Sequence, residues 1–362
     1  MKAIVNSKEL LGVLTDMSYA YNPNCIVQIM TYAKLDFRDA ILTVSVGDFG
    51  LTMTKEMRAD FKEEFTVLIQ YDELKRICTA VSDGPLFIDS TEKQVILTFD
   101  KDVFKMGKPE DIKNYPGLPV IEEMIKIYAP VDFFWGVATA AALTVPESEF
   151  YRNVCLSIKQ GTIEAVATNG AEIFVNKVPV NGQTGQARIT IDKSLAVTAK
   201  SIMEDGVIII SEKNVCFCSA GTNIIGKRTE DTYIGYEYVI DKKESANCSL
   251  LKADIENAIS KATAIKSTLK IHDIYLRFTP GKIEVEFTDQ DRQAKAELPA
   301  IHDLSMDICF NAIALKKAIA DLPPGCKNID MCVINPRTVI FMQDADNDQA
   351  TIVMTPIAPP NQ

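Results

Sequence analysis

The chain has 362 residues, more than one hydrophobic core usually organises, so two or three domains of about 100 to 200 residues are expected. With 47% hydrophobic and 24% charged residues it has the composition of a folded globular protein, and no apolar run approaches the roughly 18 residues of a membrane span. A net charge of −11 excludes wrapping of nucleic acid by bulk attraction, while leaving room for local basic patches.

The N-terminal MKAIVNSKELLG has no long apolar run and no small-residue cleavage site, which predicts a cytoplasmic protein that starts at Met1. A helix is predicted near residues 6–18. From Ala40, AILTVSVGDFGLTMTKEM alternates apolar residues at Leu42, Val44 and Val46, breaks at Gly47-Asp48 and resumes, which is the pattern of a β-hairpin. YDELKRICTAVSDG then reads as a helix with Asp72 as N-cap and Gly84 as its stop, and PLFIDSTEKQVILTF as a strand pair. The Pro-containing KPEDIKNYPGLPVIEE follows as a linker.

The same order then recurs. A helix near 132–144 precedes GTIEAVATNGAEIFVNKV, where Ile163, Ala165 and Ala167 alternate before the break Thr168-Asn169-Gly170. IDKSLAVTAKSIMEDG is the next helix, from the N-cap Asp192 to Gly206, and VIIISEKNVCFCSA the next strand pair. Beyond the polar linker YVIDKKESANCSL, a helix over 252–266 lines up Ile255, Ala258, Ile259, Ala262 and Ile265 on one face. GKIEVEFTDQDRQAKAEL, with Ile283, Val285 and Phe287 and a break at Thr288-Asp289, is the third hairpin. NAIALKKAIADLPPG, capped by Asn311 and ending at Gly325, and the strands of IDMCVINPRTVIFM complete the series. The hairpins start at Ala40, Gly161 and Gly281, offsets of 121 and 120 residues, which marks an internal repeat. The expected fold is therefore α+β, with three repeated domains over 1–122, 123–246 and 247–362, each with two helices on antiparallel sheets.

Catalytic motifs are absent: there is no GxSxG, GxGxxG, Walker A, HExxH or CxxC pair, and neither a cofactor nor a metal is implied. The nine cysteines are odd in number and sit mostly in apolar runs, as buried reduced thiols do; Cys216 and Cys218 share one face of a strand. The two histidines, His272 and His302, each lie beside an Asp in an apolar segment, which suits a local hydrogen bond near a turn. Asp344, Asp346 and Asp348 lack the Gly and closing Glu of a calcium loop and read as a solvated hairpin turn.

The basic residues, in contrast, recur on the helices, away from the apolar stripes. Lys75 and Arg76, Lys193 and Lys200, and Lys316 and Lys317 occupy the second helix of each repeat; Lys8, Lys252, Lys261 and Lys266 sit on the others. The helix near 132–144 carries none. Gathered on one surface, these ten side chains form a track that contacts phosphates without reading bases.

Taken in order, several segments resemble the bacterial DNA polymerase III beta subunit, the DNA sliding clamp. MKAIVNSKELL is similar to that family's opening, PEDIKNYPGLP to its first interdomain region, FYRNVCLSIKQGTIEAVATNGAEI to its central motif, and TIVMTPI to its C-terminal end. The resemblance implies a non-enzymatic, three-domain subunit that closes head to tail with a second copy into a ring around double-stranded DNA, without sequence specificity. It also implies a pocket for linear peptides of the replicative polymerase and the clamp loader, formed here by Arg152, Thr168, Gly170, Ile173, Ile234, Val239, Ile271, Asn311, Ile352, Met354, Thr355 and Pro356. The chain departs from the family pattern at this place. Ala171-Glu172 replaces His-Arg, and Ile234 stands where the family has Pro, which suggests an altered peptide preference, one with a basic residue opposite Glu172. The departures also leave open a second reading, a mobile-element or phage-type homologue that acts as a monomeric adaptor or decoy for host clamp partners.

Overall fold

The computed structural model describes residues 1–109, 112–119, 121–182, 184–229, 232–265, 273–289 and 292–357. The fold is α+β, and its elements follow the threefold order of the sequence. The first third contains β1 (Lys2–Asn6), α1 (Ser7–Met17), β2 (Tyr32–Arg38), β3 (Ile41–Gly47), β4 (Leu51–Arg58), β5 (Asp60–Phe61), β6 (Phe65–Gln70), α2 (Tyr71–Ala80), β7 (Pro85–Ser90), β8 (Gln94–Phe99) and β9 (Asp102–Gly107). The second contains β10 (Ile125–Ala129), α3 (Val131–Ala141), β11 (Asn153–Lys159), β12 (Thr162–Thr168), β13 (Glu172–Pro179), β14 (Ala187–Asp192), α4 (Lys193–Thr198), β15 (Gly206–Ile210), β16 (Asn214–Ser219) and β17 (Thr222–Thr229). After a short helix α5 (Glu237–Ile240), the last third contains β18 (Cys248–Leu251), α6 (Lys252–Ala262), β19 (Asp273–Thr279), β20 (Lys282–Asp289), β21 (Arg292–Pro299), β22 (Met306–Asn311), α7 (Ala312–Ala320), β23 (Asn328–Cys332), β24 (Ile340–Asp344) and β25 (Asn347–Met354).

The alternating residues of the three hairpins are what the cores are built on. Leu42, Val44 and Val46, then Ile163, Ala165 and Ala167, then Ile283, Val285 and Phe287 are all at most 2% exposed. Alternate residues of a strand face opposite ways, so each set forms one buried apolar row. Asn6, Asp192 and Asn311 accept backbone N–H groups at the starts of α1, α4 and α7, satisfying donors that the helix itself leaves open.

Four local expectations are corrected. Asp72 does not cap α2: the helix begins a residue earlier, and Asp72 lies in its first turn, where it accepts the Tyr21 hydroxyl at 2.9 Å. The helix from Asp192 is short and passes at Ala199–Ser201 into a 3-10 turn that carries Lys200. Gly84, Gly206 and Gly325 do not end helices; α2 and α7 stop at Ala80 and Ala320, and Gly206 opens β15. After Leu322, Pro323 and Pro324 prevent α7 from continuing. In the third hairpin β20 runs through Thr288 to Asp289, so the break falls later than the sequence suggests.

The chain divides into two compact units: Met1–Ala138 with Ile158–Thr162 and Pro179–Asp231, and Thr139–Ser157 with Ile163–Val178 and Thr232–Gln362. In the first, β5-β1-β7-β8-β9 form one antiparallel sheet. A second sheet there joins repeats: β17 pairs antiparallel with β4, Thr222 opposite Lys55 and Gly226 opposite Leu51. In the second unit the same joint recurs one repeat on, with β25 against β13, Glu172 opposite Met354 and Asn176 opposite Ala350. The order there is β18-β23-β24-β25-β13-β12, beside a four-stranded sheet β21-β20-β19-β22. Thus the closing strand of one repeat adds to the second hairpin strand of the repeat before it. Two edges of these types are left over: β9 bonds only to β8 and β21 only to β20 among the described residues.

Gly47 turns the first hairpin at φ +145, and a Cβ there would lie 2.2 Å from the Leu51 carbonyl oxygen. Gly12, on the exposed side of α1, has open space around it. Gly47→Ala is expected to lower stability by about 1–3 kcal/mol or more, and Gly12→Ala to raise it by about 0.5–1 kcal/mol. Urea unfolding of the two variants reads the opposite signs directly.

Candidate partner-peptide site and basic helices

The described residues singled out as a peptide pocket fall in the second unit, and those on β13 and β25 divide between the two faces of the seam these strands form. Directly opposed residues share a face, so Ile173 and Val353 point one way, together with Phe341 of β24. Glu172 with Met354, and Phe174 with Ile352, point the other. Ile352 and Met354 are 2% exposed, as is Thr168.

On the Ile173 face lies a continuous apolar region. Ile173 and Ile240 pack against both of its clusters, one formed by Cys155, Val166, Val175, Tyr233 and Tyr236 and the other by Cys332, Phe341 and Val353. Ile234 joins the first and Val239 the second, so three of the named residues, Ile173, Ile234 and Val239, meet here. The connector before β18, which reads in sequence as a plain polar linker, is thus a wall: its short helix α5 brings Val239 and Ile240 onto the sheet. Tyr236 anchors that wall. Its hydroxyl donates to the buried Glu164 carboxylate at 2.7 Å, and Lys177 approaches the same carboxylate at 3.7 Å. Burial and the hydrogen bond to Glu164 push the Tyr236 phenol well above its usual range. Lys243 holds the end of the connector to Gln343 of β24.

The rim is built by the turn between β12 and β13. The Asn169 side chain accepts the N–H groups of Ala171 and Glu172 at 2.9 and 2.8 Å, and Thr168 accepts that of Gly170. Gly170 has φ +92, and a Cβ there would meet the Tyr151 ring at 3.2 Å, so Gly is required twice over. Thr355 donates its N–H to the Ala171 carbonyl, which ties the exposed C-terminal segment to the same turn; Pro356 follows, half-buried. Arg152 is exposed just before β11. Asn311 is spent on capping α7 through Ile313 and Ala314. Ile271 lies outside the described residues, as do Lys266 and His272. Sequence reasoning passed over Val353, Phe341, Ile240, Tyr233 and Tyr236. Ile352, Val353 and Met354 are all apolar because both faces of β25 are buried here, and no alternation survives to say which residues face the connector.

Glu172 is buried on the opposite face, where the charges of Lys317 and Asp321 act on it with opposite signs. Desolvation raises its carboxyl above the usual range, Lys317 opposes the shift and Asp321 adds to it.

The named basic residues lie on helix surfaces in both units. In the first, Lys8 is exposed on α1, Arg76 is exposed on α2, Lys75 reaches over the Tyr71 ring at 5.9 Å, Lys193 is half-buried on α4 and Lys200 is exposed. In the second, Lys261 and Lys316 are exposed on α6 and α7, Lys252 is half-buried, and Lys317 pairs with Asp321 at 3.0 Å. The helix α3 carries no Lys or Arg. His302 is structural: Leu304 N–H donates to its Nδ1 at 3.1 Å, so its Nε2 carries the hydrogen and donates to the Lys282 carbonyl. Asp344 and Asn347 close the turn between β24 and β25. Among the described residues no cluster of three metal-ligating side chains exists, and no helix is long and apolar enough to cross a membrane.

This architecture is the sliding-clamp fold, which has three domains. The chain superposes on the Pseudomonas aeruginosa sliding clamp, DNA polymerase III subunit beta, bound to griselimycin, with a TM-score of 0.87 at 13% identity, covering 99% of this chain and 100% of that one. It is similar in the same way to the Helicobacter pylori beta clamp bound to a DNA ligase peptide, TM-score 0.85 at 15% identity, covering 99% and 100%. In sequence it is 20% identical over 336 residues to a beta sliding clamp homologue, GriR, of Streptomyces muensis, covering 90% of this chain and 89% of the relative. No model of a known family matches the sequence.

The raised Glu172 carboxyl sets a pH dependence. A group whose folded pKa exceeds its unfolded one binds more protons when folded, so stability falls as pH rises through that window and the full penalty stands above it. Glu172→Gln is therefore expected to raise the urea midpoint at pH 7 and to lose that advantage below about pH 4, near the unperturbed carboxyl range. A midpoint shift independent of pH would show that the burial of this charge carries no cost.

Proposed function

We propose that the chain is a DNA sliding clamp, a non-catalytic cytoplasmic ring subunit of three domains, 1–122, 123–246 and 247–362, that encircles duplex DNA and tethers the replicative polymerase and other partners. The observation that carries this reading is the repeated strand joint. β17 adds to β4 and β25 adds to β13, each the closing strand of one repeat on the hairpin of the one before. Among the described residues the strands of these types without such a partner are β9, in the first repeat, and β21, in the third. A second copy offering its β9 to β21 continues the series, and two such contacts close a head-to-tail dimer. Retention on DNA is then topological, and the exposed lysines and arginines of the helices need only brush phosphates, which is compatible with a net charge of −11.

The apolar face around Ile173, Ile234 and Val239 is suited to the hydrophobic anchors of a linear peptide, with the Gly170 turn and the Thr355-Pro356 segment as its rim. Such a site lets the polymerase and the clamp loader engage the same subunit in turn. The Helicobacter pylori clamp with its bound peptide supports this assignment by analogy of fold.

Light scattering across a micromolar concentration series tests the ring. A mass of roughly 80 kDa, twice the 40.0 kDa of the chain, is expected, and Val103→Asp on the exposed edge β9 should return it to the single-chain mass without unfolding it. A single-chain mass for the wild-type protein would move the function toward a monomeric adaptor. For the pocket, Val239→Asp is expected to weaken a polymerase-derived clamp-binding peptide at least about tenfold, a loss of roughly 1.4 kcal/mol, in a fluorescence anisotropy titration. Equal binding by the variant would remove the connector wall from the site.

A further inference from the structure

Outside the peptide site and the basic helices, one pair of reactive groups is left unexplained. Cys216 and Cys218 lie two residues apart on β16 and so share a face, with their sulfurs 3.1 Å apart. The residue between them, Phe217, points the other way into the core, where its ring meets Phe134 at 5.6 Å. The cysteine face is the outer one of the sheet β10-β15-β16-β17. Cys216 is opposite Ile209, which is opposite Lys126; Cys218 is opposite Val207, which is opposite Tyr128. Tyr128 is 52% exposed and Cys216 only 4%, so the pair runs from a covered sulfur to an accessible one. Of the nine cysteines only Cys25 and Cys218 are not buried.

The chemistry of the two sulfurs is unequal. The hydrogen bond from Cys216 lowers the Cys218 thiol below its usual range, and the positive charge of Lys126 acts in the same direction against burial. Cys216 is raised by the same hydrogen bond and by burial. An accessible sulfur with thiolate character beside a covered thiol is the arrangement in which one attacks and the other resolves.

We propose that Cys216 and Cys218 form a redox-active dithiol that exchanges with low-molecular-weight disulfides such as glutathione disulfide. Cys218 Sγ, having given up its proton, attacks one sulfur of the disulfide RSSR; a Cys218–SR bond forms and RS⁻ leaves, taking up that proton. Cys216 then loses its proton and its sulfur attacks the Cys218 sulfur, displacing the second RS⁻, which takes up the proton. The chain is oxidised by two electrons to a Cys216–Cys218 disulfide and RSSR is reduced to two RSH. Residues two apart in an extended strand have Cα atoms about 6.6 Å apart, near the upper limit of about 6.8 Å for a disulfide. The bond therefore pulls on β16 and belongs to the readily reduced, reversible class.

The test uses the full-length reduced protein equilibrated over a series of glutathione to glutathione disulfide ratios, quenched in acid, alkylated and digested. Cleavage after Lys213 and Lys227 delivers both cysteines on one peptide. That peptide is expected to pass from doubly alkylated to a form lighter by two hydrogens than the dithiol, and to return on adding reductant. Cys216→Ser should instead hold glutathione on Cys218, and Cys218→Ser should leave Cys216 alkylatable throughout. The proposal is overturned if the wild-type peptide stays doubly alkylated at ratios that place glutathione on Cys25, or if it retains glutathione without closing. The wild-type map decides the matter even if neither variant folds.

Discussion

The structure depends on one interaction used repeatedly, the antiparallel addition of the closing strand of one repeat to the hairpin of the repeat before it. A sheet edge left bare offers a row of unpaired N–H and C=O groups, which invites pairing. Here the invitation is accepted within the chain at β4 and β13. The middle third consequently lends strands to both compact units, and the chain divides in two by contact although it repeats in three by sequence. The proposed function rests on the same constraint, because a series of edge additions with two ends left over suits closing on a second copy.

The site inherits its position from the second of these joints. β25 pairs with β13 beside the connector that carries α5. The connector then lies across one face of the seam, fixed by Tyr236 on Glu164 and by Lys243 on Gln343. Its apolar residues meet Ile173 and Val353 to form the region proposed for a peptide. The buried Glu164 is costly to desolvate and is tolerated because both a phenol and a lysine answer it. Polar groups therefore fix the wall, and apolar groups supply what it has to bind with.

Much of the fold was legible because hairpins advertise themselves. Leu42, Val44 and Val46 and their counterparts alternate in sequence since one face of each hairpin is buried and the other is not. The helices were legible through their stripes, as with Ile255, Ala258 and Ile259. What the sequence hid was everything decided by distant pairing. Nothing about Lys55 in β4 or Thr222 in β17 announces that the two will lie opposite each other. Part of the site was hidden likewise: Ile352 and Met354 were singled out, yet it is Val353 between them that faces Ile173, and only the register decides which. Asp72 failed as a cap for a related reason, since Tyr21 from another segment claims its carboxylate.

The acidic balance of the chain is intelligible once binding and retention are separated. A protein held on DNA by phosphate contacts alone needs many of them and loses affinity steeply with salt. The proposed closed ring would need none for retention, and a sparse set of exposed cations on its helices would suffice to keep a duplex from sticking or tilting. Lys317 illustrates the economy: it is paired with Asp321 at 3.0 Å and its charge acts on Glu172, so part of the basic character of α7 is balanced within the fold. The helices therefore contribute fewer free charges than their sequences suggest, which suits the weak, sliding contact that the proposed ring requires.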